Sequence, residues 1–321
     1  MYKVGITGVG SLIGQGIIKS ILNGAYADDY ELIGFDYFPN TVGSYWCKKT
    51  YLLVDILKED TELEWLNQVM DIILNEAIHI LFIGVDFELP LFSKYKSRIE
   101  AETGCKIIVS NKEVIEIGND KYKTFQFLKR NNLFYPETFL PEECNFSDLD
   151  YPVIVKPRVG ARSVGVSKVK QEADIEEILS NTDRPIIQEC IGDDSSEYTC
   201  GVIAFKGELK ASIALKRTLK AGNTHTSSYS KNTPEIIKTY LRNITEKLIP
   251  FGACNFQLRM DKEGIPKMFE INARNSGTTY MRSLFGFDEV NYILKYVLEG
   301  KELTFSLEEG TAIRYFEEQL L

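Results

Sequence analysis

Residues 253–272 read ACNFQLRMDKEGIPKMFEIN, and this stretch decides the fold. Apolar and polar residues alternate on both sides of the turn DKEG, which predicts two antiparallel strands of one hairpin. The register puts Gln257 roughly across from Glu270. The apolar face then holds Phe256, Leu258, Met260, Phe269 and Ile271, and the polar face holds Asn255, Gln257, Arg259, Glu270 and Asn272.

On the polar face of the hairpin, Gln257, Glu270 and Asn272 bring two amides and a carboxylate together, and Arg274 follows just beyond. Oxygen ligands of this kind suit Mg²⁺ bound together with phosphates. A solvated outer face would carry a mixture of Lys, Glu and Thr instead. We therefore favour a metal site at Gln257, Glu270 and Asn272.

A second pattern lies upstream, where PVIVKP at 152–157 places Lys156 at the end of a buried strand. An ammonium there can reach a phosphate oxygen. The segment 158–166, RVGARSVGV, is a loop of small residues that can fold over phosphates with its backbone N–H groups. The alternative for this loop is a flexible connection between two strands.

Two further segments carry candidate residues. The strand IIQECI at 186–191 contains Glu189, and Glu197 follows a short acidic insert. Beside a purine, such a strand end can bind the base through its backbone and the ribose through a carboxylate; otherwise both glutamates are solvated. The basic segment 216–224, KRTLKAGNT, either brings Lys216 and Arg217 to a carboxylate substrate or is a solvated loop.

The first 110 or so residues alternate short apolar runs with amphipathic stretches, which predicts βαβ units and a Rossmann-like parallel sheet. Gly8, Gly10 and Gly14 follow the first strand, and Asp36 ends the next. This turn fits a dinucleotide site, but it also fits simple packing of the first helix on the sheet, which we favour. From about Tyr151 the chain reads as α+β with antiparallel sheets.

Composition restricts the function further. The chain has 321 residues, a formal net charge of −9, two histidines and six cysteines without a C-x-x-C pair. These features argue against nucleic-acid binding, histidine-based zinc sites and disulfides. The longest apolar runs are too short to span a membrane, so we expect a cytoplasmic protein without nucleic-acid or membrane partners, and a homodimer is compatible with the sequence.

Together, these segments resemble the ATP-grasp superfamily over residues 1 to about 300, and in particular single-unit ligases similar to the carbamoyl phosphate synthase large subunit. The resemblance implies a pre-ATP-grasp α/β domain at 1–112 and an ATP-grasp domain at 113–321. The latter would comprise a lid subdomain at about 120–190 and a larger subdomain at about 191–300. The glycine turn at 8–14 would then help to bind the acceptor substrate.

The resemblance also implies residue roles. Nucleotide-binding positions are Lys121, Lys156, Gly160, Ser163, Gly165, Glu189, Cys190, Ile191 and Glu197. Metal ligands are Gln257, Glu270 and Asn272, with ATP and Mg²⁺, or Mn²⁺, as cofactors. The resemblance gives Arg274 as a catalytic cation, and the basic segment 216–224 adds Lys216 and Arg217 as further candidates.

The implied reaction is ATP-dependent activation of a carboxylate as an acylphosphate, which a small-molecule amine then attacks. The chain has one grasp unit and no amidotransferase segment, which argues against carbamoyl phosphate synthesis itself. The alternatives are an NAD(P)-dependent oxidoreductase that uses the glycine turn, and a nucleotide-binding protein without catalysis.

Overall fold

The computed structural model describes residues 1–160 and 163–320. Ala161 and Arg162, in the predicted phosphate-covering loop, lie outside the described residues, as does Leu321. The described strands form three sheets, one parallel and two antiparallel.

The N-terminal sheet is parallel, in the order β3-β2-β1-β4-β5. Its strands are Tyr2–Thr7 (β1), Tyr30–Asp36 (β2), Lys49–Leu52 (β3), Ile80–Phe82 (β4) and Lys106–Ile108 (β5). The helices of this part are Leu12–Leu22 (α1), Val42–Trp46 (α2), Glu62–Glu76 (α3), Leu89–Thr103 (α4) and Lys112–Asn119 (α5). Strands β1 and β4 are apolar and largely buried because helices cover both faces of the sheet.

A small antiparallel sheet follows, in the order β6-β9-β7-β8. Its strands are Thr138–Phe139 (β6), Val153–Pro157 (β7), Ser167–Val169 (β8) and Pro185–Glu189 (β9), and its helices are Lys121–Arg130 (α6) and Ile175–Ser180 (α7). Asp120 caps α6 as predicted, because its carboxylate accepts from the N–H groups of Tyr122 and Lys123. The sheet has a small apolar core of its own, formed by Val153, Val155, Val169, Ile175 and Ile187.

The largest sheet is antiparallel and six-stranded, in the order β14-β13-β10-β11-β12-β15. Its strands are Glu197–Phe205 (β10), Glu208–Lys220 (β11), Asn223–Tyr229 (β12), Gly252–Met260 (β13), Pro266–Asn272 (β14) and Gly310–Ile313 (β15). Its helices are Glu235–Leu248 (α8), Thr279–Ser283 (α9) and Glu289–Glu299 (α10). One buried core joins α1 of the N-terminal part to β10, β11 and α10, so these two parts pack on each other.

The predicted hairpin is β13–β14, and Gln257 pairs with Glu270 as the register predicted. A bulge follows: Leu258 pairs with Met268, which leaves Phe269 as the extra residue. The prediction that Phe269 faces the core is therefore wrong. Met268 and Ile271 are buried, whereas Phe269 turns toward the polar side of the hairpin.

The predicted fold class, a parallel-sheet α/β part followed by antiparallel sheets, is confirmed. The domain boundaries given above stay predictions. All six cysteines are free thiols. Among the described residues, no helix is both long and apolar enough to cross a bilayer.

Candidate functional site

Two cavities lie against the polar face of the hairpin. The first, about 160 Å³, lies between the small sheet and the large one. The second, about 310 Å³, lies between the large sheet and the N-terminal part. Arg217, Gln257 and Glu270 line both cavities, so the two spaces meet at the predicted metal ligands.

Lys156 is the most deeply buried cation of the first cavity, 5% exposed at the end of β7. Its ammonium donates to Gln188 Oε1 at 2.7 Å, and Gln188 in turn donates to Thr138 at 2.9 Å. Burial, and secondly the nearby charge of Lys121, lowers the pKa of Lys156 from 10.5 to about 7. A buried lysine without an anionic hydrogen-bond partner is well suited to receive a phosphate oxygen.

Lys121 starts α6 and reaches the loop that follows β7. Its ammonium donates to the carbonyl oxygen of Gly160 at 2.9 Å, and its backbone N–H donates to Arg158 O. Arg158 also donates to the carboxylate of Asp120 at 2.6 Å. Lys121, Gly160 and Ser163 all line the first cavity, as predicted for nucleotide-binding positions.

Apolar side chains form the rest of the first cavity. Ile154 lies on the small sheet and Phe269 on the large one, and the Lys156 ammonium lies 5.3 Å from the centre of the Phe269 ring. Ile191 closes the side where the chain passes from one sheet to the other. Such a slot between two sheets can accept the flat face of a purine.

The two glutamates predicted to bind ribose both line this cavity, and both already have cationic partners. Glu189 accepts from the Lys267 ammonium at 2.8 Å. Glu197 is 5% exposed, and its two oxygens accept separately from Arg217 and Arg259. The contacts of Glu197 therefore point to a different role, which is to hold the two guanidinium groups in place.

The three predicted metal ligands are in contact with one another. Gln257 Nε2 and Asn272 Nδ2 both donate to Glu270 Oε1, at 3.3 and 2.9 Å. The amide oxygens of Gln257 and Asn272 accept from Arg217 at 2.7 Å and from Arg274 at 3.1 Å. Rotation of each amide would turn its oxygen toward the same point as the carboxylate, so this donor set fits a hard divalent cation.

Arg274 links the hairpin to the N-terminal part of the chain. Its Nε donates to Asp86 Oδ1 at 2.6 Å and its Nη2 to Asp86 Oδ2 at 3.1 Å. Arg274 and Asn272 line the second cavity together with Glu270. A guanidinium is thus held beside the predicted metal ligands, on the side of the second cavity.

Three predicted positions line neither cavity: Lys216, Gly165 and Cys190. Lys216 pairs with Tyr198 across the sheet, and its ammonium lies 5.8 Å from that ring, over the face covered by α8. Successive residues of a strand point to opposite faces, so Arg217 faces the cavities and Lys216 does not. The assignment of Lys216 as a catalytic cation is therefore corrected.

Gly165 contributes to the loop rather than to the cavity wall. Its φ is +73°, and an added Cβ would lie 3.0 Å from the ring of Pro157. Gly160 also has a positive φ, +155°, and among the described residues an added Cβ would meet Pro157 alone, at 3.9 Å. The loop thus needs glycine for its backbone conformation.

The backbone of the glycine turn at 8–14 is tightly packed. An added Cβ at Gly14 would lie 2.3 Å from the carbonyl oxygen of Gly8. Asp36, which a dinucleotide would need for its ribose, is buried and accepts from Gly10 N at 2.7 Å and Thr41 Oγ1 at 2.9 Å. The packing interpretation therefore agrees with the structure, and the dinucleotide interpretation does not.

A parallel-sheet domain followed by two antiparallel sheets, with a cation-lined slot between those sheets, defines the ATP-grasp class of proteins. Residues 186–319 match the family model described as "ATP-grasp in the biosynthetic pathway with Ter operon". The resemblance predicted from the sequence is thereby confirmed, and the chain has an ATP-grasp fold.

Known proteins show the same similarity. The chain is 22% identical over 215 residues to a carbamoyl-phosphate synthase of Methanobrevibacter smithii, an alignment covering 62% of this chain and 57% of the relative. It spans between 22% and 57% of the length of the carbamoyl-phosphate synthases that it matches.

Solved structures extend the likeness to nearly the whole chain. N5-carboxyaminoimidazole synthetase from Staphylococcus aureus, complexed with ADP, has a TM-score of 0.74 at 16% identity, covering 96% of this chain and 80% of that one. L-amino acid ligase from Bacillus licheniformis has a TM-score of 0.71 at 17% identity, covering 93% and 74%. At these identities, the likeness to the two solved structures establishes the fold.

Proposed function

We propose that the chain is an ATP-dependent ligase that activates a carboxylate and joins it to an amine. The observation that carries this proposal is the meeting of the two cavities at Arg217, Gln257 and Glu270. A purine slot and a separate polar cavity that share one group of oxygen ligands can hold two reactants on either side of a transferable phosphate. The similar proteins named above, a carbamoyl-phosphate synthase, an L-amino acid ligase and an N5-carboxyaminoimidazole synthetase, support the same class.

In this proposal the nucleotide lies in the first cavity. Lys121 and Lys156 bind its phosphates, and the loop at 158–166 covers them. Glu270, Gln257 and Asn272 would hold Mg²⁺, or Mn²⁺, which supplies neutralisation of the phosphate charge when bound. The ribose contact of Glu189 belongs to the proposal as well, and it requires the bond to Lys267 to open.

The second cavity receives the carboxylate. One carboxylate oxygen attacks the γ-phosphorus, the bond to the β-phosphate oxygen breaks and ADP leaves. The amine nitrogen then attacks the acyl carbon, phosphate leaves, and the amine loses a proton. Arg274 and Arg217 stabilise the negative charge that develops on the transferred group.

The test is ADP and phosphate release with Mg-ATP across pairs of carboxylates and amines. We expect release that depends on both members of a pair, and thermal stabilisation by Mg-ATP and Mg-ADP but not by NAD(P)H. Stabilisation by NAD(P)H alone would support the oxidoreductase. Nucleotide binding without release by any pair would support a non-catalytic binding protein.

Small-molecule substrates, a cytoplasmic location and a homodimer complete the proposal. Native mass measurement in solution with and without Mg-ATP tests the oligomeric state.

A further inference from the structure

Arg314 follows β15 and extends its guanidinium into the second cavity. Its backbone N–H donates to His225 O at 2.8 Å. Its Nη2 donates to the carbonyl oxygen of Gly277 and lies 3.8 Å from the sulfur of Met281. These contacts fix the side chain beside the turn at 276–278 but do not neutralise its charge.

Among the described residues, the other arginines that line the two cavities each form an ion pair with a carboxylate. Arg217 pairs with Glu197, Arg259 with Glu197 and Asp194, and Arg274 with Asp86. Within residues 1–160 and 163–320, Arg314 forms no ion pair with a carboxylate. Partial burial without an opposite charge lowers the pKa of Arg314 from its usual value.

The position of Arg314 separates it from the reacting groups. Strands β14 and β15 are the two opposite edges of the six-stranded sheet; Glu270 lies on β14, whereas Arg314 follows β15. The second cavity spans the space between them. A substrate group that contacts Arg314 is therefore a different group from the one that meets the phosphate at Glu270.

We propose that Arg314 binds a carboxylate that does not take part in the reaction. This inference rests on the proposed function and specifies its substrate class: one of the two substrates carries a second polar end with a negative charge. That substrate is an amino acid that supplies the amine, or a dicarboxylic acid that supplies the activated carboxylate. A guanidinium binds a carboxylate through two parallel hydrogen bonds, which an amide cannot accept in the same way.

The experiment measures equilibrium binding by calorimetry, with Mg²⁺ and a non-hydrolysable ATP analogue present. The probes are the L-amino acids, succinate and glutarate, each paired with the corresponding primary amide. The variants are Arg314→Gln and Arg314→Lys, and the matched control is Arg242→Gln, an exposed arginine on α8 outside both cavities.

We expect the native chain to bind at least one acid roughly 10- to 100-fold more tightly than its amide. Arg314→Gln should abolish that preference, Arg314→Lys should keep part of it, and Arg242→Gln should keep all of it. The melting temperature and the affinity for the ATP analogue should change little in any variant. Binding by an amino acid or by a dicarboxylate identifies which of the two substrates Arg314 contacts.

Three results would overturn the inference: no acid of the panel binds the native chain, acid and amide bind equally, or Arg314→Gln keeps the preference. The proposed function fails in a different way, through an absence of ADP release with any pair. A carboxylate preference that depends on Arg314 would survive that failure as a ligand site.

Discussion

Two glycine-containing loops of this chain look alike in the sequence and differ in the structure. In the turn at 8–14, an added Cβ at Gly14 would collide with the backbone of Gly8, and Asp36 takes up the N–H of Gly10. In the loop at 158–166, an added Cβ at Gly160 would come no closer than 3.9 Å to any described residue, and the Gly160 carbonyl oxygen accepts from Lys121. Glycine spacing alone therefore does not distinguish a tightly packed turn from a loop that could cover a phosphate, whereas the surroundings of the missing Cβ do.

The largest expected effect is a loss of ADP release when the predicted metal ligands are replaced. Glu270→Gln and Asn272→Ala should each lower ADP release by about 100-fold or more, because the phosphate charge that develops in the reaction would lose its neutralising metal. Affinity for the nucleotide should fall only partly, since the purine slot is built by other residues. Steady-state ADP release and calorimetric binding measure the two quantities.

Glu263→Gln is the matched control, an exposed glutamate in the turn of the same hairpin. Near-normal turnover with unchanged Mg²⁺ dependence in Glu270→Gln would contradict the metal site and leave the polar face of the hairpin as an ordinary solvated surface.

On the packing side, Gly14→Ala should lower the free energy of unfolding by about 1–3 kcal/mol, because the new Cβ would lie 2.3 Å from Gly8 O. Gly16→Ala lies on the same helix, and its Cβ would come no closer than 3.7 Å to Thr279, so this control should be neutral or slightly stabilising. Urea denaturation gives both values. Full stability of Gly14→Ala together with a loss of nucleotide affinity would contradict the packing interpretation of the turn at 8–14.

Lys156→Met and Lys121→Ala should each weaken Mg-ATP binding by about 1.5–3 kcal/mol, roughly tenfold or more. Both side chains are cations in a cavity, so unfolding should change much less. Titration calorimetry with Lys168→Ala, an exposed lysine of β8, as the control separates local from general charge effects. Unchanged titrations for both variants would contradict the assignment of the slot.

The pH dependence of binding follows from Lys156, whose pKa in the free protein is lowered to about 7 by burial and by Lys121. Phosphate binding favours the protonated form, so the pKa rises in the complex. Affinity should therefore be nearly constant below pH 7 and fall by up to about tenfold per unit above it. Lys156→Met should remove this dependence, and calorimetry in buffers of different ionisation enthalpy should detect proton uptake above pH 7 in the native chain only.

The smallest effect is a change in hydrogen exchange. The loop at 158–166 is rich in small residues, and the small sheet that carries it has a separate core, so we predict that residues 152–189 close as a lid when nucleotide binds. Residues 197–204, which the sequence alone would include in this lid, belong to β10 of the large sheet and lie outside it. New protection should appear at 158–166 with Mg²⁺ and a non-hydrolysable ATP analogue, and weaker changes at 8–14. Protection at 8–14 with NAD(P)H, and none at 158–166 with the analogue, would contradict the lid prediction and support the oxidoreductase.

Much of the fold was predictable because it depends on local alternation of apolar and polar residues. The pairing of Gln257 with Glu270 came from that pattern alone and is confirmed. Phe269 could not be placed because a bulge adds one residue to one strand without any local signal in the sequence. Side-chain partners such as Asp86 for Arg274 join positions far apart in the chain, so no spacing rule reaches them.

For some residues of the site, the sequence pattern predicts only part of the arrangement that the structure shows. Arg259 was placed on the polar face of the hairpin, yet its bond to Glu197 depends on a second strand pairing in register with the first. Lys216 and Arg217 are adjacent in the sequence, but strand geometry directs their side chains to opposite faces of β11. Arg314 lies in a segment without a motif. Its position depends on the pairing of β15 with β12, which is a tertiary contact that the local sequence does not predict.

The bulge at Phe269 changes which side chains line the first cavity. In a regular strand, Phe269 and Glu270 would point to opposite faces; here both line the first cavity. An aromatic ring and a carboxylate that line one cavity thus come from consecutive residues of one strand. Under the proposed function, loss of that single extra residue would turn one of the two side chains away from the cavity, so a one-residue irregularity in the backbone would govern how base and phosphates fit together.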